Sequence, residues 1–138
     1  MSETQNIALI QRIYSAFSAG DIQTILDNVG DKADWVNIGP STIPYAGDFT
    51  GRIPDFFQAI GQSTSGGKVT ADKFIAQGDT VVAIARYTAT VRATGALIDS
   101  PLAHIFTVLD GKVTSWLGFS DTAAVAAAHT ETAAAARH

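Results

Sequence analysis

The sequence predicts an α+β fold: three N-terminal helices wrapped around a curved antiparallel sheet, shaped as a cone with an interior pocket. Three observations carry that expectation. Apolar residues recur at three- and four-residue steps through the first part of the chain. From Lys68 onward the period changes to two. Finally, Asp110-Gly111 sits between two alternating runs, a strong signal for a tight hairpin.

The first helix is marked by Ile7, Ile10, Ile13, Tyr14 and Phe17, with Ser2 or Thr4 as its cap and Gly20 as its stop. Asp21 is placed to cap a second, short helix with Ile22, Ile25, Leu26 and Val29 on one face, closed by Gly30. "ADWVNIG" reads as a short strand, and "GPSTIPYAGDFTG" as a loop punctuated by glycine and proline. Pro54 opens a third helix carrying Phe56, Phe57 and Ile60. "STSGG" reads as a flexible link. Strands are expected over 68–77 and 80–93, then as a hairpin over 97–109 and 112–120. No linker or repeat divides the chain, so 1–138 is expected to be one domain, with 121–138 an alanine-rich helix or tail.

Composition removes several function classes. The 138 residues are 46% hydrophobic and 16% charged, the balance of a globular chain, and the net charge of −4 argues against nucleic acid or an anionic membrane as partner. There is no cysteine, so disulfides and thiolate metal sites are excluded, and three histidines show no metal-ligand spacing. No cofactor motif is present: neither a phosphate-binding G-x-x-x-x-G-K-[ST] nor a nucleophile-bearing G-x-S-x-G. The N-terminus lacks the basic and apolar regions of a signal peptide and no run is long enough to span a membrane, so a cytoplasmic location is expected.

The hairpin holds the candidate chemistry. With a two-residue turn and no bulge, Leu109 faces Lys112 and His104 faces Leu117. His104, Phe106, Val108, Val113, Ser115, Leu117, Phe119 and Asp121 then share one face, while Ile105, Thr107, Thr114 and Trp116 share the other. Asp121 would lie four residues along from the partner of His104, about 13 Å away at ~3.3 Å per residue. Two roles stay open for Asp121: a pocket carboxylate, or the N-cap of the alanine-rich helix that follows. His104 is either a pocket group or a hydrogen-bonded core histidine.

"LIQRIYSAFSAGD", "ADWVNIGPSTIPYAGDFTG", "GDTVVA", Thr94-Gly95, and His104 followed by "LDGKV" and a closing Asp121 together resemble the SnoaL-like branch of the nuclear transport factor 2-like superfamily. The resemblance spans roughly residues 6–128. It implies the cone fold, a deep apolar pocket and a homodimer formed through the sheet. It also implies cofactor-free acid–base chemistry next to a carbonyl of a small apolar molecule, with Asp121 as base and His104 assisting. Trp35, Asn37, Tyr45 and Phe106 would shape the pocket. In the ketosteroid isomerases of this superfamily a first-strand aspartate and a first-helix tyrosine do the work; here the strand reads Trp35-Val36-Asn37 and Tyr14 lies one residue from the helix position. Two further readings remain: a pocket that binds an apolar ligand without chemistry, and an interaction domain whose outer sheet face makes a dimer.

Overall fold

A computed structural model describes residues 2–130. Helix α1 (Glu3–Ser18) begins in a capping box: the Gln5 N–H donates to Ser2 Oγ at 3.1 Å and the Ser2 N–H donates back to Gln5 Oε1 at 2.9 Å. Its buried stripe is Leu9, Ile10, Ile13 and Tyr14, with Asn6 and Ala16 beside it. Gly20 (φ 74°) lets the chain leave the helix, and Asp21 caps α2 (Ile22–Asp27) by accepting from the Thr24 N–H and hydroxyl. Val29 and Gly30, expected in α2, instead open strand β1 (Val29–Asn37), because Asn28 already ends the helix.

A two-residue strand β2 (Gly47–Asp48) precedes α3 (Ile53–Ser63), which has Pro54 in its first turn and buries Ile53, Phe56 and Phe57. Strands β3 (Thr64–Gln77), β4 (Thr80–Val91), β5 (Leu97–Leu109) and β6 (Lys112–Ser120) follow, then α4 (Thr122–Thr130). The expected link "STSGG" is the last residue of α3 and the start of β3. It pairs with β4 through a register shift between Ser65 and Lys68, and Gly66 takes the positive φ of 67° found there. Residues 131–138, the rest of the expected alanine-rich tail, lie outside the described residues.

The six strands are ordered β2-β1-β6-β5-β4-β3. All neighbours are antiparallel except β1 and β6, which run parallel, so the sheet is mixed where sequence predicted it antiparallel throughout. The register shifts in β3 and β6 bend the sheet, and α1 lies across its concave side at β3. In β4 burial alternates strictly: Val81, Ala83, Ala85, Tyr87, Ala89 and Val91 face inward.

The β5–β6 hairpin corrects the expected register. Its turn is as predicted, with positive φ at Asp110 (52°) and Gly111 (77°), the pair a type I′ turn requires. Leu109 faces Lys112 and Val108 faces Val113, but Thr107 then faces Ser115. Thr114 is the extra residue of a bulge. Beyond it every β6 side chain swaps face, because the side-chain period is two. His104 opposes Gly118, not Leu117, and Trp116 turns inward, 5% exposed, while Leu117 and Phe119 turn outward.

Candidate functional site

Inside the curve lies a cavity with about 100 Å³ open to the centres of water-sized molecules. Helix α1 contributes Ile13, Tyr14 and Phe17; α3 contributes Phe56, Phe57 and Ile60. From the sheet come Trp35 and Asn37 of β1, Val69 of β3, Tyr87 of β4, Leu102, His104 and Phe106 of β5, and Trp116, Phe119 and Ser120 of β6. Ile43 and Tyr45 close it from the loop after β1, and Val125 from α4. No Asp, Glu, Lys or Arg is among the lining residues. Among the described residues no three His, Asp or Glu side chains are grouped to hold a metal ion.

Aromatic rings form the walls. Trp35 and Trp116, both tryptophans of the chain, stack with centroids 4.8 Å apart and planes at 28°. Phe56 meets each of them edge-on or tilted, at 5.8 and 5.2 Å. Gly118 makes this possible. A Cβ there would sit 2.6 Å from Cζ2 of Trp116 and 2.9 Å from Oδ1 of Asn37, so only a glycine lets the indole lie over the β6 backbone. Phe106, 1% exposed, packs against His104 and Tyr14.

The polar end is a pair the sequence did not single out. The Tyr14 hydroxyl and His104 Nδ1 are 2.8 Å apart, joining α1 to β5. His104 is half-buried by surface, but the surface it retains opens onto the cavity; protein surrounds the ring, and this desolvation lowers its pKa to about 3. It is therefore neutral at pH 7. Burial likewise pushes the Tyr14 phenol well above its ordinary value, so it keeps its proton. Two arrangements fit this contact: Tyr14 donates to Nδ1 with the imidazole proton on Nε2, or Nδ1–H donates to the phenol oxygen and leaves Nε2 as the acceptor. Nε2 has no protein partner among the described residues and is not sealed in, so this nitrogen is free to meet a group in the cavity.

A second tyrosine–histidine contact lies at the α4 side. The Tyr45 hydroxyl is 3.0 Å from His129 Nε2, and the Tyr45 phenol is raised by burial and by neighbouring Tyr87. Asn37 uses its amide N–H to reach the Tyr45 carbonyl at 3.0 Å, fixing the loop to β1. Among the described residues the indole N–H of Trp35 is buried without a partner.

Of the residues singled out from sequence, His104, Trp35, Asn37, Tyr45 and Phe106 all line this cavity, and Asp121 does not. Asp121 is exposed, and its Oδ1 accepts from the Ala124 N–H at 3.1 Å, capping α4. The bulge at Thr114 is the cause: it shifts the inner face to Trp116, Gly118 and Ser120 and leaves the end of β6 one step out of phase with the expected register. Periodicity showed Tyr14 as one member of an apolar helical stripe, a pattern that does not distinguish core from cavity wall, and the resemblance placed it one residue from the helix tyrosine of the ketosteroid isomerases. Trp116 was assigned to the outer face for want of any local signal for the bulge.

A family model described as a SnoaL-like domain matches residues 10–116. An NTF2-like protein of unknown function from Burkholderia pseudomallei superposes with a TM-score of 0.85 at 20% identity, over 94% of this chain and 99% of its own. A protein assigned to the SnoaL-like polyketide cyclases, from Jannaschia sp. CCS1, gives 0.77 at 22% over 93% of each chain. TerC, co-crystallised with polyporic acid, gives 0.81 at 26% over 92% of this chain and 99% of its own. No curated protein matches the sequence. With the family model covering most of its length, the chain belongs to the SnoaL-like domain family, and it shares the fold of these structures.

Proposed function

We propose that the cavity binds a small, uncharged, largely aromatic molecule and holds one of its carbonyl oxygens at the Tyr14–His104 pair. The observation that carries this reading is the 2.8 Å contact between Tyr14 and Nδ1 of a neutral His104 at the wall of an aromatic hollow that contains no charged side chain; in this proposal Tyr14 donates to Nδ1 and the imidazole proton sits on Nε2, facing the cavity. A donor so placed calls for an acceptor, and walls without a cation disfavour an anion, whose desolvation would be uncompensated. The co-crystallisation of TerC with polyporic acid supports a small-molecule ligand for this kind of cavity.

The test compares three ligands of one skeleton by calorimetry: 2-acetylnaphthalene, 2-ethylnaphthalene and 2-naphthoate. The ketone is expected to bind tightest and the carboxylate weakest. His104→Phe is expected to erase the ketone's advantage over the hydrocarbon, about ten-fold for one net hydrogen bond. Preference for the carboxylate, or no binding of any of the three, refutes the reading.

Acid–base chemistry on that ligand is the second reading, and the Tyr14–His104 geometry favours it. A neutral Nε2–H can stabilise an enolate oxygen while the proton of the adjacent carbon passes to a water molecule at the mouth, since no carboxylate lines the cavity to take it. Asp121, seated on α4 outside the lining, is not the base in this proposal. The same reading places a homodimer through the outer face of the sheet. There Ile105 and Leu117 are half-buried and Phe119 is 41% exposed, a set made more apolar by the bulge that turned Leu117 and Phe119 outward.

A further inference from the structure

One wall of the cavity is built differently from the rest. Helix α4 closes the hollow with Val125, 3% exposed, but most of its length is alanine, and besides Val125 only Ala128 is fully buried against the body. Little apolar area therefore holds it down, whereas α1 and α3 are anchored by large aliphatic and aromatic side chains. Among the described residues, what fastens α4 is mostly polar and lies toward the two ends of Thr122–Thr130. At the start, the Asp121 N–H donates to Ser100 Oγ at 3.0 Å and Asp121 caps the first turn. At the far end two separate loops reach up. The Thr94 hydroxyl donates to the Ala128 carbonyl at 2.6 Å, and Tyr45 meets His129 Nε2 at 3.0 Å, ring against ring at 5.4 Å. An element with few buried apolar contacts and a handful of hydrogen bonds sits at the low end of local stability. The elements around it do not.

We propose that α4 is the door of the cavity, hinged at Asp121 and latched where Tyr45 meets His129. The ring of Tyr45 lies in the cavity wall while its hydroxyl holds the door, so one side chain links the occupant to the closure. His129 is a positioning residue: it is not among the lining residues and acts through Tyr45. The door rests on the reading that the cavity takes a ligand, but its opening is measurable without one.

The first measurement is amide hydrogen exchange on the free protein. His129→Ala and Tyr45→Phe each remove the latch, and each is expected to speed exchange in the second half of α4 by roughly two- to twelve-fold, the range one net hydrogen bond gives. Amides of α1 and β4 are expected to stay unchanged. The double variant should match either single one, because both remove the same contact. His129→Gln, which keeps an acceptor, should recover part of the protection.

The second measurement is stopped-flow binding of 6-propionyl-2-(dimethylamino)naphthalene, a neutral aromatic ketone whose emission reports polarity. His129→Ala is expected to raise association and dissociation rates by a similar factor and to leave Kd within about two-fold. Unchanged exchange in α4, additive effects of the two substitutions, or a change confined to dissociation would overturn the door. If the ketone fails to bind while α4 exchange accelerates as expected, the ligand reading falls and the latch stands.

Discussion

Acid should destabilise this fold through His104, whose protonation the folded state resists. The imidazole is neutral in the folded state, with a pKa lowered to about 3 by burial, while in the unfolded chain it returns to the ordinary value near 6.5. The folded pKa lies below the unfolded one, so the unfolded chain takes up the proton first. The stability contributed by the neutral ring is full above about pH 6.5 and is lost as the pH falls from there toward 3. Between pH 7 and pH 4.5 the loss is on the order of 2 kcal/mol, a large share of the stability of a domain this size. Urea unfolding of the wild type and of His104→Gln at both pH values isolates it. Asp21 and Asp48, whose hydrogen bonds with Thr24 and Thr50 hold their carboxyls below the usual range, also weaken in acid, but equally in both proteins. The difference between the two acid slopes is therefore the contribution of His104. Equal slopes, or a His104 resonance titrating near 6.5, would refute the account of this residue as a buried neutral donor.

Other substitutions test the cap, the tryptophan stack and the outer face. Asp121→Ala should cost about 1 kcal/mol in thermal unfolding through loss of the α4 cap, and Asp121→Asn close to nothing, with ligand affinity unchanged in both. Gly118→Ala drives a methyl into the Trp116 indole; it should cost about 1–3 kcal/mol and change tryptophan emission, since both tryptophans share that stack. Static light scattering at micromolar concentration should report twice the monomer mass, and Ile105→Lys on the outer face should lower it; a monomeric wild type would contradict the proposed dimer.

What the sequence disclosed and what it withheld divide along the range of the interaction. Caps and turns are written in a few adjacent residues. Ser2, Asp21, Gly20 and Asp110-Gly111 all stand in the conformations their chemistry requires. The change from helical to alternating periodicity located the sheet, and with it the inward placement of His104 and Phe106. The parallel pairing of β1 with β6 joins residues some eighty positions apart and leaves no local trace. The bulge at Thr114 is one residue in an otherwise regular strand, yet it exchanges Trp116 with Leu117 and removes the expected common face of His104 and Asp121. The partnership of Tyr14 with His104 spans ninety positions, so the helix pattern could only report Tyr14 as apolar-facing. For Asp121 the local reading as a cap was available and describes its hydrogen bond; the pocket reading depended on a register the bulge had altered.

The most direct test of the cavity as a ligand site is the long-range proton–nitrogen spectrum of the His104 ring at pH 7, recorded with and without 6-propionyl-2-(dimethylamino)naphthalene. The account predicts a neutral ring with its proton on Nε2 and Nδ1 in the acceptor role toward Tyr14. Addition of the ketone should move the Nε2 and Hε2 resonances as the carbonyl accepts that hydrogen bond. A ring protonated on both nitrogens, a proton on Nδ1, or a ketone that binds while Nε2 stays unmoved would contradict it.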